Sequence, residues 1–223
     1  MIIIILLILI ILLAYEVYGA ANIKAQCFVK VQTMTGDDRV LLTFDDGPEP
    51  ERTPALLDLL DELKIKAIFF VIGEKAKQHP EIVREIIRRG HRIGNHTMHH
   101  SPYHAFWTPR KYLRDEIEAA DEVLRSINID TELFRPPLGI TNRQIAWACR
   151  KAGKRVVAWD VRSLDTRNEP REVVIDRIRR KMRAGSIILL HDRLDGVCDI
   201  VRAITADSQY IFVGQDDQNN INI

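Results

Sequence analysis

The sequence predicts an α/β protein of βα units wound around a mainly parallel sheet, and three observations lead there. From Val40 onward, short apolar runs alternate with longer stretches whose apolar positions recur every three or four residues. The rhythm repeats about seven times, with no internal sequence repeat or low-complexity segment. Ionisable residues gather just beyond the apolar runs, where parallel α/β sheets present their strand ends. An open doubly wound sheet and a closed barrel share this pattern. At 223 residues, a single domain with a full core is the starting expectation.

The elements follow in order. "VLLTF" (40–44) reads as a strand, "TPALLDLLDELK" as a helix entered through Thr53 and Pro54, and "KAIFFVIG" as a second strand. "HPEIVREIIRRG" is a helix with Pro80 early and Gly90 as its stop, followed by the short strand "HRIGNH". A long amphipathic helix is expected from Pro109 to Ile127, then a strand "ELFRPP" cut off by Pro136 and Pro137, then a helix between Thr141 and Gly153. "RVVAWDV" reads as a strand, "PREVVIDRIRRKMRAG" as a helix, and "SIILLHD" as a strand apolar enough to be buried on both faces. "GVCDIVRAITA" and "YIFVG" form the last helix and strand, and the polar tail 214–223 is expected to fray.

Composition excludes some functions. Lysine plus arginine (32) nearly balances aspartate plus glutamate (31), so no global charge points to nucleic acid. Cys27, Cys149 and Cys198 lack the paired spacing of a zinc knuckle or a disulfide framework and read as structural filler. Nothing indicates a protein partner.

The first 21 residues are different in kind. "MIIIILLILIILLAY" carries no charge before Glu16, and extension through Ala21 gives a tolerable spanning length with Glu16 at the interface. It lacks the basic start of a secretory signal, and Tyr18 spoils Ala20 as a cleavage site. An uncleaved membrane anchor over 1–21 is therefore expected, with a signal-like, secreted form as the alternative. Residues 22–39 read as a linker before the domain at 40–213. Lys24, Lys30 and Arg39 would by themselves hold the domain on the cytoplasmic side.

Five strand ends carry chemistry: Asp45-Asp46-Gly47-Pro48, then His96 to His100, Arg135 to Gly139, Asp160 with Asp165, and His191-Asp192. Singly, each has an ordinary reading as turn former, core histidine or strand stop. Their concentration in one repeating architecture is hard to attribute to packing.

In "GNHTMHH", His96 and His100 stand four apart, as on one side of a helical turn, and can offer imidazole nitrogens to one zinc-like ion. His99 is offset and reads as a bystander. A carboxylate should complete the protein ligands. Because successive side chains leave a strand on opposite sides, Asp45 and Asp46 should divide two roles, one binding the ion and the other taking a proton from the attacking water. His191, on another strand end, can protonate a leaving group. The implied reaction is attack of activated water on a carbonyl.

With these residues in place, the chain resembles the polysaccharide deacetylases with a NodB-homology domain, carbohydrate esterase family four. The resemblance runs from about Val40 to Val213 through five ordered motifs. They are "TFDDG", "NHTxxH" at 95–100, "RPPxG" at 135–139, "WDVRSLD" at 159–165 and "ILLHD" at 188–192. It implies a distorted (β/α) barrel, a divalent ion (zinc first, with cobalt, manganese or nickel as alternatives), and hydrolysis of N-acetyl groups on N-acetylhexosamine units of peptidoglycan, chitin or a related glycan.

Carried over by position, Asp45 resembles the catalytic base, Asp46, His96 and His100 the metal ligands, and His191 the general acid. Arg135 resembles the arginine that steadies the base, and Asp165 a supporting carboxylate. The Pro137-Leu138-Gly139 backbone resembles the oxyanion contact. Leu138 and Thr166 stand where the family often has tyrosine and tryptophan, which points to altered substrate fit. Tyr103, Phe106 and Trp107 could stack on a sugar or pack under a loop.

The expected protein is thus membrane-anchored with an extracytoplasmic catalytic domain. A deacylase of small amides or esters and a non-catalytic glycan-binding relative are the alternatives.

Overall fold

A computed structural model describes residues 1–101, 108–206, 208–215 and 221–223. The anchor-like segment is helix α1 (Ile2–Ala21), and β1 (Val31–Gln32) follows it within the segment read as linker. The core then runs β2 (Leu41–Gly47), α2 (Thr53–Glu62), β3 (Ala67–Val71), α3 (Gly73–Gln78), α4 (Pro80–Arg88) and β4 (Arg92–Asn95). After it come α5 (Arg110–Ser126), β5 (Leu133–Phe134), α6 (Arg143–Lys151), β6 (Arg155–Val157), β7 (Val161–Arg162), α7 (Arg171–Lys181), β8 (Ile187–His191) and α8 (Val197–Thr205).

The strands form one sheet in the order β1-β6-β5-β4-β3-β2-β8-β7, and every named pair is parallel. The sheet curls into a distorted half-barrel with β1 and β7 at its edges. The expected strand "RVVAWDV" splits: β6 pairs with β5 and β1, whereas β7, three residues on, pairs with β8 at the other end of the sheet. The interruption has a local cause, because the carbonyls of Val157 and Ala158 accept from the Arg135 guanidinium (3.0 and 2.8 Å).

Strand alternation divides the core. Leu42, Phe44, Phe69, Ile188 and Leu190 point toward α2, α4, α7 and α8 in one buried cluster. Leu41, Ile68, Phe70 and Leu189 belong to a second, which also takes in Trp159 and the apolar faces of α5 and α6.

Two terminal expectations change. "YIFVG" forms only an isolated bridge between Phe212 and Val40. The expected frayed tail is anchored at its end: Ile221 is buried, and the Asn222 carbonyl accepts from Gly36 N at 2.8 Å.

Helix α1 is docked at its last turns. Thr141 donates from Oγ1 to Gly19 O (3.1 Å), Arg143 pairs with Glu16 (2.7 Å), and the Tyr15 ring packs edge-on to Phe28. Gly19 is required there, since a Cβ would lie 2.6 Å from the Phe28 ring.

Candidate active site

The site is built at the carboxyl ends of the strands. Strand register sets Asp45 beside His191 on the neighbouring strand. One step on, the β2–β3 register shifts between Asp45 and Gly47, and Asp46 takes a positive φ of 73°. This bulge overturns the expectation from regular alternation that the two aspartates must face apart. Both carboxylates instead face His96, whose Nε2 lies 3.8 Å from Asp45 Oδ2 and 3.5 Å from Asp46 Oδ1. Gly47 permits the turn, because a Cβ there would fall 2.1 Å from the carboxylate of Asp192.

Arg135 is sealed beneath this centre with no solvent exposure. Its Nη1 donates to Asp45 Oδ1 (2.7 Å) and Thr43 Oγ1 (2.8 Å), and its plane lies 4.1 Å from the Phe70 ring centroid. The buried guanidinium thus donates from all three of its nitrogens, the condition under which such a pair is tolerated.

His96 and His100 come together by a route the four-residue spacing did not foresee. They lie on a loop after β4, outside any helix. The Asn95 side chain accepts from Thr97 N (2.8 Å), and Thr97 Oγ1 accepts from His100 N (3.1 Å). With positive φ at Thr97 and His100, this turn brings the two imidazole centroids to 4.7 Å. The His96 Nδ1–H donates to Arg135 O (2.7 Å), which leaves the lone pair on Nε2, facing the two aspartates. His99 turns away to Glu116 (2.7 Å).

Asp46, His96 and His100 meet the requirements of a metal cradle. Their ligand atoms lie within 4.8 Å of one another. Asp46 Oδ1 is buried without a hydrogen bond and faces both Nε2 atoms, the His100 one at 3.3 Å. A carboxylate oxygen confronting an imidazole lone pair calls for a cation between them, and two imidazoles with a carboxylate suit zinc. Burial works to raise the Asp46 pKa, but His96, Arg193 and His100 outweigh it and hold the carboxyl well below its usual range. Burial and the neighbouring His96 push His100 down to about 4, so its ring is neutral and able to ligate at pH 7.

Across the cavity, His191 is fixed by Asp165, whose Oδ1 lies 2.8 Å from Nδ1 while Oδ2 accepts from the His191 backbone N–H (2.9 Å). Ser163 donates to the same carboxylate (2.8 Å). Burial opposes the charge on His191, yet the Asp165 hydrogen bond and the charges of Asp165, Asp45 and Asp46 raise its pKa above the ordinary value. Pro137 is buried at the base of a short helical turn with Leu138 and Gly139. Leu138 has a positive φ of 61° and presents a half-exposed side chain at the mouth. The resulting cavity, about 180 Å³, is lined by Asp45, Asp46, His96, His100 and His191 among others.

Two strand-end acids lie elsewhere. Asp160 accepts from Ile187 N (2.9 Å) and Ser186 Oγ (3.0 Å). Asp192 is fully buried against Thr53 Oγ1 (2.7 Å), and burial raises its pKa to about 7. Sequence reasoning missed Arg193, whose Nε donates to Asp46 Oδ2 at 2.8 Å. It also missed Thr43, although the two-residue step from Asp45 already put both on one strand face. Tyr103, Phe106 and Trp107 lie outside the described residues.

The chain is similar to known polysaccharide deacetylases. The polysaccharide deacetylase family model matches residues 32–157, more than half of the chain and the part that carries Asp45, Asp46, His96, His100 and Arg135. A chitooligosaccharide deacetylase of Sinorhizobium fredii is 36% identical over 71% of this chain and 74% of its own length. A peptidoglycan-N-acetylglucosamine deacetylase of Bacillus cereus is 32% identical over 74% of this chain and 78% of its own. Among solved structures, a family 4 carbohydrate esterase from Streptomyces lividans in complex with acetate matches with a TM-score of 0.68 and 30% identity, covering 76% of this chain and 86% of that one.

Proposed function

The chain belongs to the polysaccharide deacetylase family, hydrolases acting on carbon–nitrogen bonds, and on that footing we propose that it removes N-acetyl groups from N-acetylhexosamine units of a peptidoglycan- or chitin-like glycan. The observation that carries this reading is the arrangement of Arg135–Asp45 and Asp165–His191 around the Asp46, His96 and His100 cradle in one cavity.

Asp46, His96 and His100 would hold a divalent ion, zinc by the chemistry of the donor set, and when bound it would supply Lewis-acid polarisation of the acetyl carbonyl. The protein's own groups do the rest. Arg135 holds Asp45 in place through Oδ1 and leaves Oδ2 toward the cavity, where it takes a proton from the attacking water. The water oxygen bonds to the acetyl carbon and the carbon–nitrogen bond breaks. Asp165 keeps His191 protonated and oriented, so that its Nε2–H passes to the departing amine. The backbone N–H of Leu138, a residue that lines the cavity, would donate to the developing oxyanion, a kind of contact worth roughly 3 kcal/mol.

Helix α1 is long and apolar enough to cross a membrane, and we infer that it anchors the catalytic domain outside the cytoplasm, where such glycans lie. Acetate release from chitooligosaccharides and peptidoglycan fragments tests the activity. Full release by Asp45→Asn or His191→Ala would refute the assigned roles.

A further inference from the structure

We propose that the catalytic cavity continues into a cationic groove at the level of the membrane surface, and that this groove takes the phosphate of a lipid-linked glycan whose acetylated sugar occupies the cavity. The inference rests on the deacetylase and anchor readings above and goes beyond them by naming the substrate's carrier.

The first observation is continuity. A second cavity of about 230 Å³ adjoins the catalytic one and shares Leu138, Gly139, Trp159 and Arg162 with it. Its far wall is the chain just leaving α1, from Ala21 to Lys24. The path out of the active site therefore runs along the foot of the anchor.

The second is charge. Lys24, Arg162 and Lys181 line the groove, with Asp160 the single acid among its lining residues. That carboxylate is already engaged: it accepts from Ile187 N and Ser186 Oγ, lies 3.3 Å from Arg183 Nε, and is 8% exposed. Among the described residues, Lys24 Nζ donates to the Asp160 backbone carbonyl, at 2.6 Å. Burial, with the charges of Lys181 and Arg183, lowers its pKa against the pull of Asp160. An anion in the groove would relieve that repulsion. Arg162 lies over the buried Trp159 ring, 5.7 Å from Cζ to centroid, which holds its guanidinium where the two cavities meet as a cation for a phosphate.

The third is depth. Because Tyr15, Glu16 and Gly19 are held by Phe28, Arg143 and Thr141, the last turns of α1 belong to the domain. With α1 crossing the bilayer, these docked turns hold the foot of the helix and the face beside it at the headgroup layer, with Tyr15 and Tyr18 at the depth aromatic residues favour. The groove then opens where lipid phosphates lie. A glycan polymer distant from the membrane would use neither the depth nor the charge.

The test uses the full chain in phosphatidylcholine vesicles with three substrates: N-acetylglucosamine joined to a lipid through diphosphate, the same sugar on a neutral lipid, and soluble chitotetraose. The diphosphate lipid should be turned over with a kcat/KM roughly tenfold or more above that of the neutral lipid. Lys24→Gln with Lys181→Gln should erase that preference while chitotetraose turnover is unchanged, and Lys24→Arg with Lys181→Arg should keep it. Equal turnover of the two lipids, or a preference that survives charge removal, overturns the inference. Equal preference for a soluble sugar diphosphate removes its membrane part. Release from chitotetraose without any lipid preference leaves the deacetylase reading standing alone, and release from no substrate overturns both.

Discussion

On one side of the cavity Asp45, Arg135, Asp165 and His191 satisfy one another, whereas on the other Asp46, His96 and His100 do not. The first group is hydrogen-bonded within the protein on the side away from the cavity, down to Thr43 and the Val157 and Ala158 carbonyls under Arg135. The second leaves Asp46 Oδ1 buried and unbonded between two imidazoles. The difference separates what the chain supplies, an ordered carboxylate and imidazole proposed as base and acid, from what its cradle could receive, a cation.

Breaking the satisfied side should have the largest effect. Asp45→Asn removes the proposed base and should lower acetate release about a thousandfold, within the usual range for a general base. Steady-state kinetics with unchanged metal content would check it. Arg135→Met should cost about 3–5 kcal/mol in urea unfolding with or without metal, because it strands a buried Asp45. His100→Ala should behave in the opposite way: the metal-free chain keeps its stability, and the rise in Tm on adding zinc disappears.

A finer distinction comes from pH. The folded pKa of His191 is raised above 6.5, so the stability contributed by its pairing with Asp165 is fully present below 6.5 and lost as pH rises through the folded value. Activity should fall over the same alkaline limb, since the acid must be protonated. Asp165→Asn should move that limb of kcat/KM to lower pH and reduce kcat roughly tenfold to a hundredfold. A limb that stays in place would remove His191 from the role of acid.

The smallest effect lies just outside the cavity. Asp192 has a folded pKa of about 7 against 3.8 for a free side chain. Between those values the folded state holds a proton the unfolded chain has lost, so stability falls as pH rises through that window. Asp192→Asn should flatten this slope in urea-unfolding measurements, provided Thr53 still finds a partner.

The satisfied side was the more legible in the sequence. Apolar runs marked the strands, and the residues just beyond them marked Asp45, Arg135 and His191, because strand ends converge in any parallel α/β sheet. The cradle was legible in membership but not in geometry. Regular alternation gave no warning of the bulge at Asp46, since register shifts depend on neighbouring strands. The turn joining His96 to His100 depends on Asn95 and Thr97 side chains bonding to the backbone. Arg193 reaches Asp46 across a separation of 147 residues, beyond any local pattern. The docking of α1 likewise depends on distant partners, Thr141 and Arg143, that an apolar run cannot announce.

The most direct measurement is acetate release from chitooligosaccharides by chelator-stripped protein titrated with zinc. Activity should be absent at first and rise to saturation at about one equivalent of zinc, one three-residue cradle holding one ion. Asp45→Asn should bind the same equivalent without activity. Acetate release at the full rate from the stripped protein, or zinc uptake that survives loss of both His96 and His100, would contradict the division between the two sides of the cavity.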